Sequence, residues 1–529
     1  MKITSTKLIL LGALFLVIFD NYSFFKNLQA VYPVNYENGF FLISLVLVLF
    51  SLIVFLFSLV SLRFTIKPIM ILIIMISAFT NYFMNTYNVV IDSTMIQNTL
   101  NTDFNESLDL LSFKLVLYIV LLGIVPSYIV YKLEIEKRTF KIEFFSRLKL
   151  IVVSLVVIVA MVYSLSTFYT SFLREHKILR LYANPIFYIY SVIKYTNGVL
   201  NSGDIEVKKI GLDAKIEKST HKKRVVIMVV GEAARADHFS LNSYERETNK
   251  LVSQENIINL SDVSSCGTST AVSVPCMFSI YTRDNYSYKK NQSTQNVIDV
   301  LMHANVNVLW RDNNSNWEDI ARTGTYQNYK TNILNKECDG ECRDIGMIDG
   351  LQEYIDTAVG DVFIVLHQMG NHGPAYYKRY PKEFEKYTPV CETNQLEKCS
   401  PESIRNAYDN TLLYTDYFLS NVINLLKLNS DLESAMIYMS DHGESLGENG
   451  VYLHGLPYFM APKEQTHVGS FLWFSDTFKE NIDVETIEKN ANNSYSQDNL
   501  FHTILGMMNI KTEVYEKDMD ILQKQQGTL

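Results

Sequence analysis

The sequence predicts an N-terminal bundle of five transmembrane helices followed by a C-terminal α/β domain that lies outside the cytoplasm. Long apolar runs fill the chain up to about residue 168. From Arg224 onward, short apolar strands alternate with amphipathic segments, which is the pattern of a mostly parallel sheet. All six cysteines lie in this second half. A chain of 529 residues is also too long for one ordinary core, so we expect two structural units.

The five apolar runs each approach or exceed the ~17–25 residues that a helix needs to cross a bilayer. They cover residues 8–25, 40–62, 68–84, 115–131 and 150–168. Buried helices of a water-soluble protein are the alternative, but five runs with so few charges rarely occur together in water. Lys2 and Lys7 precede the first run as in a signal peptide. Because Asp20 interrupts that run and no small-residue cleavage site follows, we expect a retained helix.

Basic residues predict how these helices are oriented. The connection after the second run holds Arg63 and Lys67, and the connection after the fourth holds six basic residues between positions 132 and 149. Residues 85–112 hold none. The positive-inside rule therefore places the N-terminus in the cytoplasm, and five crossings leave everything after residue 168 on the outer side.

The cysteines support an oxidising compartment for the second half. They form three pairs that are close in sequence, which favours local disulfides: Cys266–Cys276, Cys338–Cys342 and Cys391–Cys399. Connectivity cannot be deduced from sequence alone. A zinc ribbon is the alternative, although the C-x₂-C spacing that such sites prefer is absent.

We divide the chain into a transmembrane domain over residues 1–170, a membrane-surface helix with a linker over 171–223, and an α/β domain over 224–529. Aromatic and basic residues alternate in the middle segment, as in helices that lie on a membrane, although an ordinary packed helix is an equal alternative. The net charge of −9 is spread over both signs and indicates no nucleic-acid partner.

Three apolar runs in the second half end in acids or histidines. Glu232 follows the first run, His367 ends the second with His372 just beyond, and Asp441-His442 follows the third. Parallel strands bring their carboxyl ends to one edge of an open sheet, where such folds build their sites. A carboxylate oxygen and an imidazole nitrogen at that edge suit zinc. The pattern therefore predicts a metal-dependent transferase or hydrolase.

A cluster of hydroxyl residues between Cys266 and Cys276, with the sequence Cys-Gly-Thr-Ser-Thr-Ala-Val-Ser-Val-Pro-Cys, lies between the first two of these strand ends. The sequence of the cluster predicts a turn at the glycine, followed by the start of a helix. Hydroxyls at such a place usually cap the helix. A helix N-terminus also favours an anionic phosphate, and a metal there would activate a coordinated hydroxyl as a nucleophile. The flanking cysteines would hold the turn in place.

Four motifs together resemble the lipid A phosphoethanolamine transferases, a group within the alkaline phosphatase/sulfatase superfamily that includes the mobile colistin-resistance enzymes. The motifs are Gly231-Glu232, the run from Cys266 to Cys276, Asn371-His372-Gly373-Pro374, and the run from Ser440 to Gly450 with the sequence Ser-Asp-His-Gly-Glu-Ser-Leu-Gly-Glu-Asn-Gly. The resemblance covers essentially the whole chain. It implies a multi-pass protein of the Gram-negative inner membrane, with a sulfatase-like α/β domain in the periplasm, acting as a monomer.

The resemblance also implies roles for individual residues. The family's catalytic zinc ligands fall on Glu232, Thr270, Asp441 and His442. Thr270 matches the nucleophile that becomes modified with phosphoethanolamine. His372 and His454 match residues that contact the phosphoryl group or a second zinc ion.

A lipid-binding motif is implied in the segment between the third and fourth apolar runs. Asn98, Thr102 and Glu106 have the i, i+4, i+8 spacing that places three polar groups on one helix face, and they match a family motif near the lipid headgroup. Alone, such a face is usually just solvated. Ser315 is a further expected substrate contact. Glu318 stands where family members commonly carry lysine, so the resemblance does not fix the substrate contacts at this position.

The implied reaction is a zinc-dependent, two-step transfer of phosphoethanolamine from phosphatidylethanolamine to a lipid A phosphate through a phosphothreonine-type intermediate. It would lower the negative charge of the cell surface and give resistance to polymyxin and colistin. Alternatives are another periplasmic acceptor, such as a core sugar or a protein, and a phosphoglycerol transferase. A plain sulfatase or phosphatase would have little use for five membrane helices, and a non-enzymatic membrane sensor is the remaining alternative.

Overall fold

The structure, a computed structural model, describes residues 2–60, 62, 64–101, 108–174, 176–200, 206–217, 222–314, 320 and 323–523. Three of the expected substrate contacts, Thr102, Glu106 and Ser315, lie outside these ranges. The chain forms two compact units, which comprise Met1–Ile96 with Leu111–Asn197, and Gln97–Leu110 with Gly198–Leu529. The expected domain boundaries at residues 170 and 223 stay predictions, because the two units are defined by contacts between residues and not by the position of a membrane.

The first unit is almost entirely helical. Its helices are α1 (Ser5–Phe19), α2 (Tyr22–Val31), α3 (Tyr36–Val60), α4 (Ile66–Tyr87), α5 (Ser93–Asn101), α6 (Phe113–Lys132), α7 (Phe140–Ser164), α8 (Ser166–Arg174) and α9 (Ile186–Leu200). The last residues of α5 and of α9 belong to the second unit. The middle of α6, Ile119–Ile124, is π-helical. Two short strands, β1 (Lys2–Ile3) and β2 (Glu134–Ile135), pair in parallel.

Within the described part of the chain, four helices are long and apolar enough to cross a membrane: α3, α4, α6 and α7. Helices α1 and α2 meet at a bend of 56° and make a fifth span if the pair is counted as one. The five apolar runs of the sequence therefore correspond to four unbroken helices and one bent pair.

Asparagine side chains stabilise the bend between α1 and α2. A helix that breaks leaves backbone carbonyl groups without their usual donors, and hydrocarbon offers no water to replace them. The Asn21 amide donates to the carbonyl oxygens of Leu16 (2.9 Å) and Asn184 (2.7 Å), and the Asn81 amide donates to that of Phe19 (3.0 Å). These asparagines are buried, so Asn21, next to Asp20 in the first apolar run, and Asn81 from α4 supply donors to carbonyl groups at the bend.

The second unit is built on a seven-stranded sheet in the order β5-β13-β10-β4-β9-β7-β8. The five strands from β10 to β8 are parallel, and β13 and β5 continue the sheet in antiparallel pairing. The strands are β4 (Arg224–Gly231), β5 (Ile258–Asn259), β7 (Asn307–Asp312), β8 (Thr325–Asn328), β9 (Val362–His367), β10 (Glu433–Ser440) and β13 (Ser470–Phe474).

Shorter elements surround this sheet. The remaining strands are β3 (Lys215–Ile216), β6 (Asp262–Ser264), β11 (Ser445–Leu446), β12 (Tyr452–Leu453), β14 (Ser494–Ser496) and β15 (Ile510–Lys511). The helices are α10 (Thr270–Met277), α11 (Tyr288–Gln292), α12 (Val297–His303), α13 (Leu351–Thr357), α14 (Pro401–Lys427), α15 (Lys463–Thr466), α16 (Asp476–Lys479), α17 (Val484–Asn490) and α18 (Leu500–Met507).

Both faces of the sheet are covered, which explains the unbroken apolar runs of its central strands. On β4, Val226 and Met228 pack into one core, and Val225 and Ile227 pack into the other. Each fully buried side chain of this size stabilises the fold by roughly 1.5–3 kcal/mol. The parallel strands β4, β9 and β10 thus lie rigidly side by side, and their carboxyl ends share one edge. The expected α/β architecture of the second half is confirmed.

Candidate metal and nucleophile site

Three of the predicted zinc ligands meet because β4 and β10 are neighbours in the sheet. Gly231 at the end of β4 lies opposite Ser440 at the end of β10. Glu232 and Asp441 are the next residues of each strand, and the Asp441 amide donates to the Gly231 carbonyl oxygen at 2.9 Å. Glu232, Asp441 and His442 are all fully buried.

Thr270 completes the group from the opposite side. It is the first residue of α10, and its side chain is partly buried. Its hydroxyl donates to Glu232 Oε2 at 3.0 Å and lies 3.3 Å from His442 Nε2. The start of a helix carries unpaired backbone N–H groups and a partial positive charge. The Thr270 hydroxyl and a place that favours an anion therefore coincide.

The His442 ring presents one nitrogen to this group. Its Nδ1 lies 2.9 Å from the Gly443 carbonyl oxygen, which can only accept, so Nδ1 carries the proton. Nε2 then keeps its lone pair, 3.3 Å from Asp441 Oδ2 and 3.6 Å from Glu232 Oε1. Burial lowers the pKa of His442, although the Asp441 charge opposes the shift. A neutral imidazole is the form that binds a metal.

The donor set fits zinc. Among the described residues, Asp441 pairs with no Lys or Arg, and its Oδ2 accepts no hydrogen bond although it is buried. Burying carboxylates without a compensating cation is costly, and a divalent ion between them would remove that cost. Zinc binds carboxylate oxygen and imidazole nitrogen in four-coordinate sites. Ligand atoms of Glu232, His442 and His454 lie within 4.8 Å of one another, which adds His454 to the predicted group.

His454 and His372 line the open side of the site. The ring centroid of His454 lies 4.2 Å from that of His442 and 5.6 Å from that of His372. Although the His372 side chain keeps some exposure, desolvation, followed by the neighbouring His454 and Arg379, lowers its pKa well below the ordinary value. Both predicted histidines thus lie in the neighbourhood of His442.

Sequence reasoning missed the residues that hold His454. Its Nδ1 lies 2.8 Å from Glu444 Oε2, and Glu444 Oε1 accepts the hydroxyl of Tyr376 at 2.7 Å. Glu444 and Tyr376 are buried. Glu444 follows His442 by two residues in the sequence and could have been suspected on that ground, whereas Tyr376 carries no such indication.

Asn314 was also missed as a site residue. Its amide donates to Glu232 Oε2 at 2.8 Å and to the Gln368 carbonyl oxygen at 2.9 Å. Its backbone N–H donates to Asp312 Oδ1 at 2.8 Å. Asn314 follows β7, whose carboxyl end lies at the same edge as those of β4 and β10. The strand-end rule that indicated Glu232 would have indicated Asn314 as well.

Gln497 joins the loop that begins at Cys266 to the end of the strand that precedes Asp441. Its side-chain carbonyl accepts the backbone N–H of Cys266 at 2.6 Å, and its amide donates to the carbonyl oxygens of Ser440 (2.8 Å) and Asp441 (2.7 Å). Nothing in the sequence pattern indicates this role, because Gln497 is remote from these residues along the chain.

The disulfides join the cysteines as predicted: Cys266–Cys276, Cys338–Cys342 and Cys391–Cys399. The first bridges the two ends of the segment that holds Thr270. Of the predicted lipid-binding residues, the structure describes only Asn98, which lies on α5 in the same unit as the site.

Comparison with known proteins decides the family. Residues 224–510 match the Sulfatase family, and residues 49–199 match the family described as Phosphoethanolamine transferase EptA/EptB. Phosphatidylethanolamine transferase Mcr-1 of Escherichia coli is 44% identical over 476 residues, which cover 87% of this chain and 88% of the relative. The chain belongs to the phosphoethanolamine transferase family.

Two further comparisons extend over nearly the whole transferase. Phosphoethanolamine transferase EptA of Escherichia coli K12 is 38% identical, with 97% of this chain and 96% of the relative covered. The solved integral membrane protein lipooligosaccharide phosphoethanolamine transferase A from Neisseria meningitidis is 35% identical, covers 99% of both chains and superposes with a TM-score of 0.96. The resemblance inferred from the motifs is confirmed.

The soluble part has its own counterpart in the C-terminal periplasmic domain of EptC from Campylobacter jejuni, which is 42% identical and covers 61% of this chain and 99% of that domain, with a TM-score of 0.54. The transferase is therefore an integral inner-membrane enzyme with a periplasmic catalytic domain, as the basic residues and cysteines predicted. A water-soluble protein and a non-enzymatic sensor are both excluded.

Proposed function

We propose that this transferase moves phosphoethanolamine from phosphatidylethanolamine to a phosphate group of lipid A, through a covalent intermediate on Thr270. The names of its relatives support the substrates, since they include a phosphatidylethanolamine transferase and a lipooligosaccharide phosphoethanolamine transferase. The added phosphoethanolamine would lower the negative charge of the cell surface and so give resistance to polymyxin and colistin.

One observation carries the proposal. The Thr270 hydroxyl lies 3.0 Å from a Glu232 carboxylate oxygen and 3.3 Å from the unprotonated nitrogen of His442, at the start of α10. A hydroxyl in such surroundings is an activated nucleophile rather than a simple helix cap. The N-cap residue of α10 is Ser269, so Thr270, the first helical residue, does not stand in the capping position.

The chain's own residues account for the two steps. The Thr270 oxygen attacks the phosphorus of phosphatidylethanolamine, the bond from phosphorus to the diacylglycerol oxygen breaks, and diacylglycerol leaves with the hydroxyl proton. A hydroxyl oxygen of the acceptor phosphate then attacks the same phosphorus, the bond to Thr270 breaks, and the acceptor's proton passes to the Thr270 oxygen, which restores the hydroxyl. His372 and His454 would contact the phosphoryl oxygens, and the helix N-terminus would stabilise their charge.

Glu232, Thr270, Asp441 and His442 would hold one zinc ion. When bound, zinc would act as a Lewis acid and lower the pKa of the Thr270 hydroxyl. His454 is close enough to this group to bind a second ion or the substrate, and its contact with Glu444 fixes its ring for either task.

The finer architecture belongs to the same proposal. Helices α1 and α2 would cross the bilayer together as a fifth span, and the enzyme would act as a monomer. Asn98, Thr102, Glu106 and Ser315 would hold the lipid headgroup, with Glu318 changing the contacts there. Because the donor and the acceptor would both be lipids, the catalytic domain must stay tethered to the membrane.

The test is mass spectrometry of lipid A from Gram-negative cells that express the protein and from cells that do not. We expect lipid A carrying added phosphoethanolamine only in the first, together with released diacylglycerol. Unmodified lipid A alongside a modified core sugar or protein would assign a different acceptor. Added phosphoglycerol would assign a different donor.

The matched control is Asp441→Ala, which removes a proposed zinc ligand at a position buried behind the nucleophile. We expect this variant to lose both bound zinc and lipid A modification. Full zinc content with normal modification in Asp441→Ala would overturn the proposed ligand set.

A further inference from the structure

Asp109 joins a short segment of the chain to the catalytic domain. It lies in Gln97–Leu110, which belongs to the same compact unit as the catalytic domain although helices α4 and α6 flank it in sequence. The Asp109 carboxylate is buried and accepts hydrogen bonds from Lys378 Nζ and from Arg379 Nη2, the latter at 2.8 Å. Its backbone carbonyl accepts the Asn394 amide at 2.5 Å.

Arg379 connects this contact to the active site. Its side chain is 2% exposed and uses its whole guanidinium group. Nη2 donates to Asp109, Nη1 donates to Glu341 Oε1 at 2.5 Å, and Nε donates to the carbonyl oxygen of His372 at 2.8 Å. A planar guanidinium fixes the directions of all its donors at once. The position of Asp109 and the position of the His372 backbone are therefore set by one rigid group.

The same residues wall a cavity of about 520 Å³, which raises the alternative of an anion site. Its basic lining residues include three that are paired with acids of the same wall. Arg343 pairs with Asp339 at 2.6 Å, Arg379 with Asp109 and Glu341, and Lys378 with Asp109. An anion would have to displace these carboxylates. These ion pairs therefore hold segments of the chain together, and we do not interpret the cavity as a phosphate site.

We propose that Asp109 is a positioning residue, which acts through Arg379 to hold residues 108–110 in register with His372. The inference rests on the proposed function, because these residues follow the expected lipid-binding motif of Asn98, Thr102 and Glu106 in the sequence. A lipid donor would contact both the segment and the histidine, so its binding depends on their relative placement. A small water-soluble donor would contact only the zinc group and the histidines.

The experiment compares two donors with the full-length protein in detergent micelles. One is phosphatidylethanolamine, followed by diacylglycerol release, and the other is the p-nitrophenyl ester of phosphoethanolamine, followed by nitrophenol release. We expect Asp109→Asn to raise KM for the lipid by about tenfold, since misplacement of bound substrate costs this order of rate or affinity. Turnover of the soluble ester, zinc content and Tm should stay close to the wild type. Asp109→Glu should restore part of the lipid affinity.

Glu341→Gln is the matched control. It also removes one carboxylate from Arg379 but leaves Asp109 in place, so we expect both donors to be used as by the wild type. If Asp109→Asn proves unstable, Lys378→Gln removes the partly exposed partner of Asp109 and should raise the lipid KM to a smaller extent.

Equal losses for both donors in Asp109→Asn, or no loss for either, would overturn the positioning role. A wild-type protein that releases nitrophenol but no diacylglycerol would instead overturn the proposed lipid donor. The two failures are therefore distinguishable.

Discussion

Three neighbouring hydroxyls at the start of α10 have different surroundings, and these decide which of them reacts. The Thr268 hydroxyl donates to the Leu456 carbonyl oxygen at 2.6 Å, and the Thr268 carbonyl accepts the Gly455 N–H at 2.7 Å. Thr268 is therefore committed to the loop after β12. Ser269 is fully buried. Thr270 alone among the three contacts Glu232 and His442 in the described structure.

We therefore predict that Thr270 carries the covalent intermediate. Incubation with phosphatidylethanolamine and no acceptor should add the mass of phosphoethanolamine to the peptide that contains Thr270, with release of diacylglycerol. Thr270→Ala should abolish both, whereas Thr268→Ala should keep some turnover because it removes only a loop contact. Peptide mass spectrometry measures the first result and lipid analysis the second. A label on another residue, or diacylglycerol release by Thr270→Ala, would contradict the mechanism.

Residues that sit directly at strand ends could be predicted from sequence, because a buried strand is a recognisable apolar run and its first polar successor must lie at the sheet edge. Glu232 and Asp441 follow this logic. Tyr376 and Gln497 could not be predicted, since their partners lie far away in sequence and only the folded backbone brings them together. Asn314 could have been predicted by the strand-end rule, but the strand that precedes it was not among the three that were searched for site residues.

At the scale of elements, the site depends on how a loop is held against a sheet. The segment from Cys266 to Cys276 contains no long helix that could hold itself in place, and α10 has only eight residues. Short helices are marginal without outside support. A disulfide at its ends and Gln497 at its base supply that support.

We predict that the Cys266–Cys276 disulfide matters more for activity than the other two. Replacing both cysteines by serine frees the nucleophile segment, so diacylglycerol release per bound zinc should fall by about tenfold or more. The matched control is the Cys391–Cys399 pair, which closes a loop of similar length, 8 residues apart against 10, away from Thr270. Its removal should lower Tm with little effect on turnover. Equal activity losses in the two double variants would refute this ranking.

At the scale of the whole molecule, the chain has a built-in reporter for its catalytic domain. All three tryptophans, Trp310, Trp317 and Trp473, lie beyond residue 223, and the membrane half has none. Tryptophan fluorescence, excited selectively over tyrosine, therefore follows unfolding of the catalytic domain. The bundle of apolar helices could be predicted from hydropathy, whereas the bend between α1 and α2 could not, because it depends on partners such as Asn184 that lie far along the chain.

Stability of the catalytic domain should fall as pH rises through neutrality, and Asp520 is one cause. Burial raises the pKa of Asp520 from 3.8 to about 7, although the Tyr515 hydroxyl opposes the shift. The folded state therefore holds a proton that the unfolded state has lost between pH 3.8 and about 7. The contribution is fully present below this window and lost above it, so Tm followed by tryptophan fluorescence should decrease from pH 5 to about pH 8.

Asp520→Asn should flatten that decrease, whatever its effect on the absolute Tm. Asp518→Asn, which removes an exposed carboxyl two residues earlier, should leave the slope as in the wild type. A slope that is unchanged in Asp520→Asn would show that another group governs the pH response.

The contact between Gln497 and the nucleophile loop has a consequence for biogenesis. Export proceeds from the N-terminus, so the membrane helices, Thr270 and every proposed zinc ligand have left the ribosome before Gln497 does. Until then the Cys266 loop lacks its anchor to the Asp441 strand. A chain that ends before Gln497 would therefore contain Thr270 and every proposed zinc ligand but lack the side chain that joins the Cys266 loop to the Asp441 strand.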